Sequence, residues 1–154
     1  MVSFNRLELP FFGLTNYKSR FNNPLIMTTS NQSAAATNIL VIDDDPDILA
    51  TVAFALEQVG YDVSTANNGE AGLTLAYQKR PSLMVVDMMM PKRSGFLVIE
   101  SLRKDYSEPI KIIMMTANEG ERHESYADLL GVDTYLHKPF SMELLVQRVN
   151  ELLS

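Results

Sequence analysis

Four places in the sequence carry side chains that could take part in phosphoryl transfer. Each follows a short apolar run, where a buried strand would end, and the residues are Asp43–Asp45, Asp87, Thr116 and Lys138. A carboxylate can act as a nucleophile toward phosphorus, while a hydroxyl and an ammonium group can bind the phosphoryl oxygens. These residue types predict phosphoryl transfer to an aspartate, provided that the fold brings the strand ends together.

The carboxylates at 43–45 need a cation, and no Lys or Arg follows them before Lys79. Asp45 precedes a proline and suits the N-cap of a helix, which leaves Asp43 and Asp44 without a local role. With Asp87 alongside, each pair of charges about 4 Å apart would repel by roughly 4 kcal/mol at an effective dielectric of about 20. Hard oxygen ligands suit Mg²⁺, so we expect Mg²⁺ there, with Lys138 as a second positive charge.

From Asn38 onward, apolar runs of strand length alternate with amphipathic stretches of helical length. The predicted strands are 39–42, 62–66, 83–86, 110–115 and 133–137. The predicted helices are about 46–59, 70–79, 95–104, 122–130 and 142–153, the last with Ser141 as N-cap. Five strand–helix repeats with right-handed crossovers predict a doubly wound parallel sheet. Such a sheet binds ligands beyond the carboxyl ends of its strands.

The segments at the strand ends resemble the receiver domain of bacterial two-component response regulators. They are ILVIDDDPDIL, LMVVDMMMPKRSG, IIMMTA and YLHKPF, in that order. The resemblance covers about 38–154 and implies a receiver domain over 37–154. It also implies a flavodoxin-like α/β fold, a five-stranded parallel (βα)5 sheet with strand order 2-1-3-4-5.

The resemblance implies a role for each residue of the phosphoryl site. Asp87 would accept the phosphoryl group. The Mg²⁺ ligands would be Asp43, Asp44, Asp87 and the backbone carbonyl of Met89. Lys138 would contact the phosphoryl group, and its bond to the following proline is expected to be cis.

The resemblance also implies a switch. Thr116 would move toward the phosphoryl group, and Tyr135 would turn inward into the space that Thr116 leaves. Tyr135 fits a half-buried core position equally well. The surface altered would be the Glu119–Ser154 face, where we expect a downstream effector protein to bind.

Two residues beside the predicted site bear on how long the phosphoryl group lasts. Met89 lies two residues after Asp87, and Asn118 lies two residues after Thr116. In the family these positions vary and flank the path of the hydrolytic water. Because the apolar Met89 cannot orient water, we expect slow self-dephosphorylation.

The expected function is that of a single-domain response regulator, since the sequence ends with the fifth helix. The phosphoryl donor would be a histidine kinase or a histidine phosphotransfer protein, and the signal would pass on through phosphorylation-dependent protein contacts. Such a protein is not an enzyme beyond its own phosphorylation and slow dephosphorylation. The net charge of −6 disfavours direct nucleic-acid binding. No apolar run is long enough for membrane insertion, and the absence of cysteine fits a reducing cytoplasm.

Three other interpretations stay open. A Mg²⁺-dependent phosphatase of similar architecture commonly carries a second aspartate two residues after its nucleophile, and Met89 stands there instead. A pure interaction module could keep the fold without phosphorylation. The sequence could also be a fragment of a longer protein, which the initial Met and the end at the fifth helix disfavour.

Residues 1–36 lack a sustained hydrophobic period and are rich in Asn, Ser and Thr. We expect this segment to be disordered, or to arise from an alternative start codon before Met27. The functional alternative is a docking peptide built on Phe11, Phe12 and Leu14.

Overall fold

The computed structural model describes residues 36–105, 110–117 and 121–154, without the side chains of 121–124. The prediction for residues 1–36 falls almost wholly outside this range, as does the prediction for Asn118, and both stay predictions. Among the described residues, no helix is long and apolar enough to cross a membrane.

Five strands and five helices alternate along the described chain. The strands are β1 Asn38–Ile42, β2 Asp62–Ala66, β3 Leu83–Asp87, β4 Lys111–Thr116 and β5 Thr134–His137. The helices are α1 Pro46–Gln58, α2 Gly69–Lys79, α3 Gly95–Asp105, α4 Glu121–Leu129 and α5 Met142–Leu153. All strand pairs are parallel, in the order β2-β1-β3-β4-β5. The predicted fold is confirmed.

The central strands are apolar at consecutive positions because helices cover both faces of the sheet. Along β1, Ile39 and Val41 pack with residues of α1 and α5, while Leu40 and Ile42 pack with residues of α2 and α3. All four of these side chains are fully buried. The two cores hold the strand ends in a fixed relation, which places the residues that follow each strand.

Two helix starts follow from side-chain caps that the sequence predicts. Asp45 Oδ1 accepts hydrogen bonds from the backbone N–H groups of Asp47 and Ile48, at 2.8 and 3.3 Å. The Ser141 hydroxyl accepts from the N–H of Leu144 at 3.2 Å. Because each cap satisfies backbone donors that the first helical turn leaves free, α1 begins directly after Asp45 and α5 directly after Ser141, a short distance along the chain from Lys138.

The predicted boundaries differ from the structure by one residue at several ends, and one difference has a clear cause. Asp133 was predicted in the last strand but lies just before β5. Its Oδ2 accepts from the N–H of Ile112 at 2.8 Å, and its Oδ1 lies 3.0 Å from Lys111 Nζ. The carboxylate therefore takes a β4 donor that a strand carbonyl would otherwise take.

Gly95 allows α3 to start directly against the end of β3. A Cβ atom at this position would lie 2.4 Å from the backbone oxygen of Asp87. The N–H of Gly95 donates to the oxygen of Met88 at 3.1 Å. Only glycine permits this approach, so Gly95 helps to fix the backbone of the site.

Candidate functional site

The ends of β1 and β3 place the predicted carboxylates side by side. Ile42 pairs with Val86 in the sheet, so Asp43 and Asp87 are neighbours. Asp43 is fully buried and Asp87 is 5 % exposed, while Asp44 is exposed. One carboxylate oxygen from each of the three lies within 4.8 Å of the others. The structure thus brings together the three side chains that the sequence predicts as metal ligands.

Lys138 bridges the two buried carboxylates. Its Nζ lies 2.7 Å from Asp43 Oδ2 and 2.7 Å from Asp87 Oδ1. The backbone N–H of Lys138 donates to the oxygen of Thr116 at 2.8 Å, which fixes the segment after β5 against the end of β4. The Lys138–Pro139 bond is cis, as predicted. Lys138 thus supplies the expected second positive charge by direct contact with both aspartates.

Each buried carboxylate is held at both oxygens. The Oδ1 of Asp43 accepts from the N–H of Asp45 at 2.9 Å, and the Oδ2 of Asp87 accepts from the N–H of Met89 at 2.9 Å. The other oxygen of each binds Lys138. These bonds orient the carboxylates, and a charge in a dry environment needs such partners.

Burial, together with hydrogen bonds and neighbouring charges, shifts the pKa values of Asp87 and Lys138. Burial raises the pKa of the Asp87 carboxyl, and the charge of Asp43 acts in the same direction, although Lys138 and the Met89 N–H oppose it. Burial lowers the pKa of Lys138, but the hydrogen bonds and charges of Asp43 and Asp87 more than offset it, so that the pKa is raised. Lys138 therefore stays an ammonium at neutral pH.

Thr116 and Tyr135 lie on the neighbouring strands β4 and β5. Thr116 is buried at the end of β4. Tyr135 is half-buried, pairs with Met114 in the sheet, and packs against a core cluster that includes Ala127 of α4. Its hydroxyl donates to Asp128 Oδ1 at 2.8 Å. The ring thus occupies the half-buried core position that is one of the two expectations, with a polar contact at the surface, and its inward turn on activation stays a prediction.

Two contacts around α4 were not found from the sequence. Besides the Asp128–Tyr135 bond, Arg103 of α3 donates to the backbone oxygens of Leu130, Gly131 and Ile110, at 3.0, 2.8 and 3.2 Å. Leu130 and Gly131 directly follow the last residue of α4, so Arg103 binds backbone acceptors just beyond the end of this helix. The sequence indicates only that α3 has a basic residue in its last turn. This feature is common in helices, so it could not predict the contact of Arg103 with these carbonyls.

A hollow of about 470 Å³ opens beside the site, between α1 and the segment after β5. Its walls are mainly apolar and include Ile48, Val52, Phe140 and Met142, with Lys138 at the border of the site. The exposed acidic residues Asp44, Asp45 and Asp47 lie along the same end of α1.

The comparison with known families identifies the domain. The model of the response regulator receiver domain matches residues 39–150. The chain belongs to the response regulator receiver family. In this family, signalling depends on phosphorylation within two-component systems, and Mg²⁺ and a phosphoaspartate are typical.

Relatives agree with this assignment. The receiver is 42 % identical over 116 residues to RpaA of Synechocystis, described as a DNA-binding dual master transcriptional regulator; the match covers 75 % of this chain and 48 % of RpaA. The chain thus spans about half the length of this curated relative. A CheY-like receiver domain structure from Methanospirillum hungatei has a TM-score of 0.74 at 28 % identity, covering 77 % of this chain and 94 % of that one. A structure of chemotaxis protein CheY4 of Vibrio cholerae has a TM-score of 0.72 at 26 % identity, covering 77 % of this chain and 99 % of that one.

Proposed function

We propose that this receiver accepts a phosphoryl group on Asp87 from a phosphohistidine of a histidine kinase or a histidine phosphotransfer protein. The observation that carries the proposal is the setting of Asp87. Its carboxylate is buried at a strand end, oriented by the Met89 N–H and bound to Lys138, with Asp43 and Asp44 beside it. A positioned, partly neutralised carboxylate is what nucleophilic attack on phosphorus requires.

In the proposed step, an oxygen of Asp87 attacks the phosphorus of the phosphohistidine. A P–O bond forms and the P–N bond breaks, so that the product is an acyl phosphate and the histidine leaves as an imidazole. Lys138 already lies 2.7 Å from Asp87 Oδ1, so its ammonium is near enough to move to a phosphoryl oxygen. Stabilisation of these oxygens by positive charge is the main catalytic need of phosphoryl transfer.

Asp43, Asp44 and Asp87 fit a Mg²⁺ ion, with the backbone carbonyl of Met89 as a further proposed ligand. Their oxygens lie close enough to share one cation, and the exposed Asp44 leaves a path from solvent. Mg²⁺ accepts few protein carboxylates and retains waters, which a phosphoryl oxygen can replace. When bound, the ion would supply positive charge to the phosphoryl oxygens.

We further propose that phosphorylation alters the Glu119–Ser154 face through Thr116 and Tyr135, and that an effector protein binds there. In the described part of this face, large apolar side chains are exposed: Tyr126 and Leu129 on α4, and Leu144 on α5. Leu129 is 84 % exposed. An apolar surface next to a phosphorylation switch is well suited to a regulated protein contact.

The phosphoryl donor would approach from the α1 side. There the apolar hollow extends to Lys138, which contacts Asp87, and the exposed acidic residues Asp44, Asp45 and Asp47 lie at the start of α1. A donor surface with apolar side chains and a basic rim would be complementary. We propose no direct binding of nucleic acid by this domain.

Three further expectations complete the proposal. The protein works as a single-domain regulator, catalyses no reaction other than its own phosphorylation and dephosphorylation, and acts in the cytoplasm. An immunoblot of the native source tests the first point: a band near 17.3 kDa supports it, and a band of about twice that mass contradicts it.

The decisive experiment is intact-protein mass after incubation with a small acyl phosphate, with and without Mg²⁺. We expect one added phosphoryl group on the wild type only with Mg²⁺, and none on Asp87→Ala. Asp62→Ala, which removes an exposed carboxylate on β2, is the matched control and should be phosphorylated normally. An adduct on Asp87→Ala would place the acceptor elsewhere. No adduct on the wild type, with Mg²⁺ shown to bind, would favour a phosphorylation-independent interaction module.

A further inference from the structure

We propose that Met89 is a redox modification site, and that oxidation of its thioether to the sulfoxide by a hydroperoxide shortens the lifetime of the phosphoryl group on Asp87. The inference rests on the proposed function, because it concerns the same site. It would let oxidant concentration limit the signal that the receiver carries.

Met89 has the most exposed side chain of the described methionines. The chain contains no cysteine, so methionine thioethers are its only reactive sulfur atoms. Among the described methionines, Met89 is 64 % exposed. The others are buried, except the half-buried Met142, and they are Met84, Met88, Met90, Met114, Met115 and Met142. Because oxidation follows access to the sulfur, a hydroperoxide in water reaches Met89 first in this part of the chain.

Met89 is also adjacent in space to Asp87. The backbone N–H of Met89 donates to Asp87 Oδ2 at 2.9 Å, so this residue lies directly against the proposed phosphoryl acceptor. Its neighbours Met88 and Met90 are 2 % and 7 % exposed, and their burial holds the segment in place. The Met89 side chain is therefore exposed to solvent directly beside the proposed phosphoryl acceptor.

The proposed modification is balanced in atoms and electrons. A lone pair of the Met89 sulfur attacks one oxygen of hydrogen peroxide, an S–O bond forms and the O–O bond breaks. The sulfur loses two electrons, and the peroxide is reduced to water. The side chain keeps its length and zero charge but gains a strong hydrogen-bond acceptor.

That acceptor changes what the side chain can do to water. The thioether is a weak acceptor and offers little orientation to an attacking water. A sulfoxide oxygen can accept a hydrogen bond from a water beside the acyl phosphate and hold it for attack. One such bond, made in the transition state, corresponds to an acceleration of about fivefold.

The test follows phosphate loss from the full chain by intact mass, after the acyl phosphate donor has been removed. Each protein is compared with itself, before and after brief exposure to dilute hydrogen peroxide, and peptide mapping locates the added oxygen. We expect the wild type to carry the first oxygen on Met89 within the described residues and to lose phosphate about fivefold faster. Treatment with a methionine sulfoxide reductase should restore the original rate.

Two variants make the assignment specific. In Met89→Leu, the rate of phosphate loss should be the same before and after treatment with peroxide. Met142→Leu is the matched control, and it should respond to peroxide as the wild type does. Acceleration that persists in Met89→Leu would overturn the assignment.

The remaining outcomes separate this inference from the proposed function. If the adduct forms and Met89 is oxidised but the lifetime is unchanged, the inference fails and the proposed function stands. If mapping finds a buried methionine oxidised before Met89, the inference also fails alone. If the untreated wild type forms no adduct, the proposed function fails, and the effect on lifetime fails with it.

Discussion

Lys138 donates a hydrogen bond from Nζ to Asp87 Oδ1 at 2.7 Å, and this pair joins residues that are 51 positions apart in the chain. The same nitrogen lies 2.7 Å from Asp43 Oδ2. In the described structure, one ammonium group thus lies between the proposed acceptor and a proposed metal ligand. The ion cluster ties β1, β3 and the segment after β5 together.

Replacing Lys138 should therefore destabilise the fold. In Lys138→Met, Asp43 and Asp87 would keep their buried charges without this cation, and loss of one partner of a buried ion pair costs about 3 kcal/mol. Urea unfolding in metal-free buffer measures the change. Lys104→Met, which breaks only the exposed pair with Glu100, should leave the midpoint nearly unchanged. A Lys138→Met midpoint equal to that of the wild type would contradict the bridging role.

Neutralising Asp87 should stabilise the metal-free protein at neutral pH. Burial raises the pKa of its carboxyl, so the charged form is less favourable in the folded state than in the unfolded state. We expect the Tm of Asp87→Asn to exceed that of the wild type by a few degrees, on the order of 3 °C.

The stabilisation of Asp87→Asn relative to the wild type should depend on pH. Between its unfolded and its raised folded pKa, Asp87 binds more protons in the folded state, so this carboxyl adds stability as the pH falls through its folded pKa. The Tm difference between Asp87→Asn and the wild type should therefore shrink from pH 7 downward. A difference that grows on acidification would show that Lys138 outweighs burial.

The unoxidised receiver should lose its phosphoryl group slowly. The reason is the apolar side chain of Met89 beside Asp87, which offers little orientation to an attacking water. Intact mass over time, after removal of the donor and with oxidant excluded, measures the rate. Complete loss within minutes in pure protein would refute the expectation.

Arg103 should stabilise the end of α4. Its guanidinium donates to three backbone oxygens, and a lysine offers only a point charge in place of that planar set of donors. We expect Arg103→Lys to lose about 1–2 kcal/mol of stability and to raise hydrogen exchange near Leu130 and Gly131. Arg148→Lys, at an exposed pair with Glu151 on α5, is the control and should do neither. Unchanged exchange near Gly131 would show that α4 does not depend on Arg103.

Gly95→Ala should damage both the fold and the site. The added Cβ would meet the Asp87 backbone oxygen at 2.4 Å, and relief of such overpacking typically costs about 1–3 kcal/mol. Because the displaced backbone carries the proposed acceptor, phosphorylation by an acyl phosphate should slow as well.

The control for this substitution is Gly131→Ala. There the nearest neighbouring atom, Nε of Arg103, would be 3.6 Å from the new Cβ, so the cost is confined to the positive φ of 73° and amounts to about 1 kcal/mol. Its phosphorylation rate should match the wild type. Equal phosphorylation rates for Gly95→Ala and the wild type would rule out the proposed link between α3 and the acceptor.

Much of the architecture can be predicted from the sequence because it depends on local patterns. The apolar runs of β1 and β3, the Asp45 cap of α1 and the Ser141 cap of α5 are each written in a few adjacent residues. Parallel strands place their carboxyl ends at one edge, so the gathering of Asp43, Asp87 and Lys138 follows from the order of the elements. The strand order itself came from the resemblance of the motifs to receiver domains.

Only the tertiary structure determined the distances between side chains that are remote in sequence. These include the direct contact of Lys138 with both aspartates, the bond between Tyr135 and Asp128, and the three carbonyls bound by Arg103. Each depends on how a helix or loop packs on the sheet to within about 1 Å, and hydrogen bonds weaken steeply outside that range. Hydrophobic periodicity determines which face of an element is buried, but it leaves such distances open, because many packings bury the same face equally well.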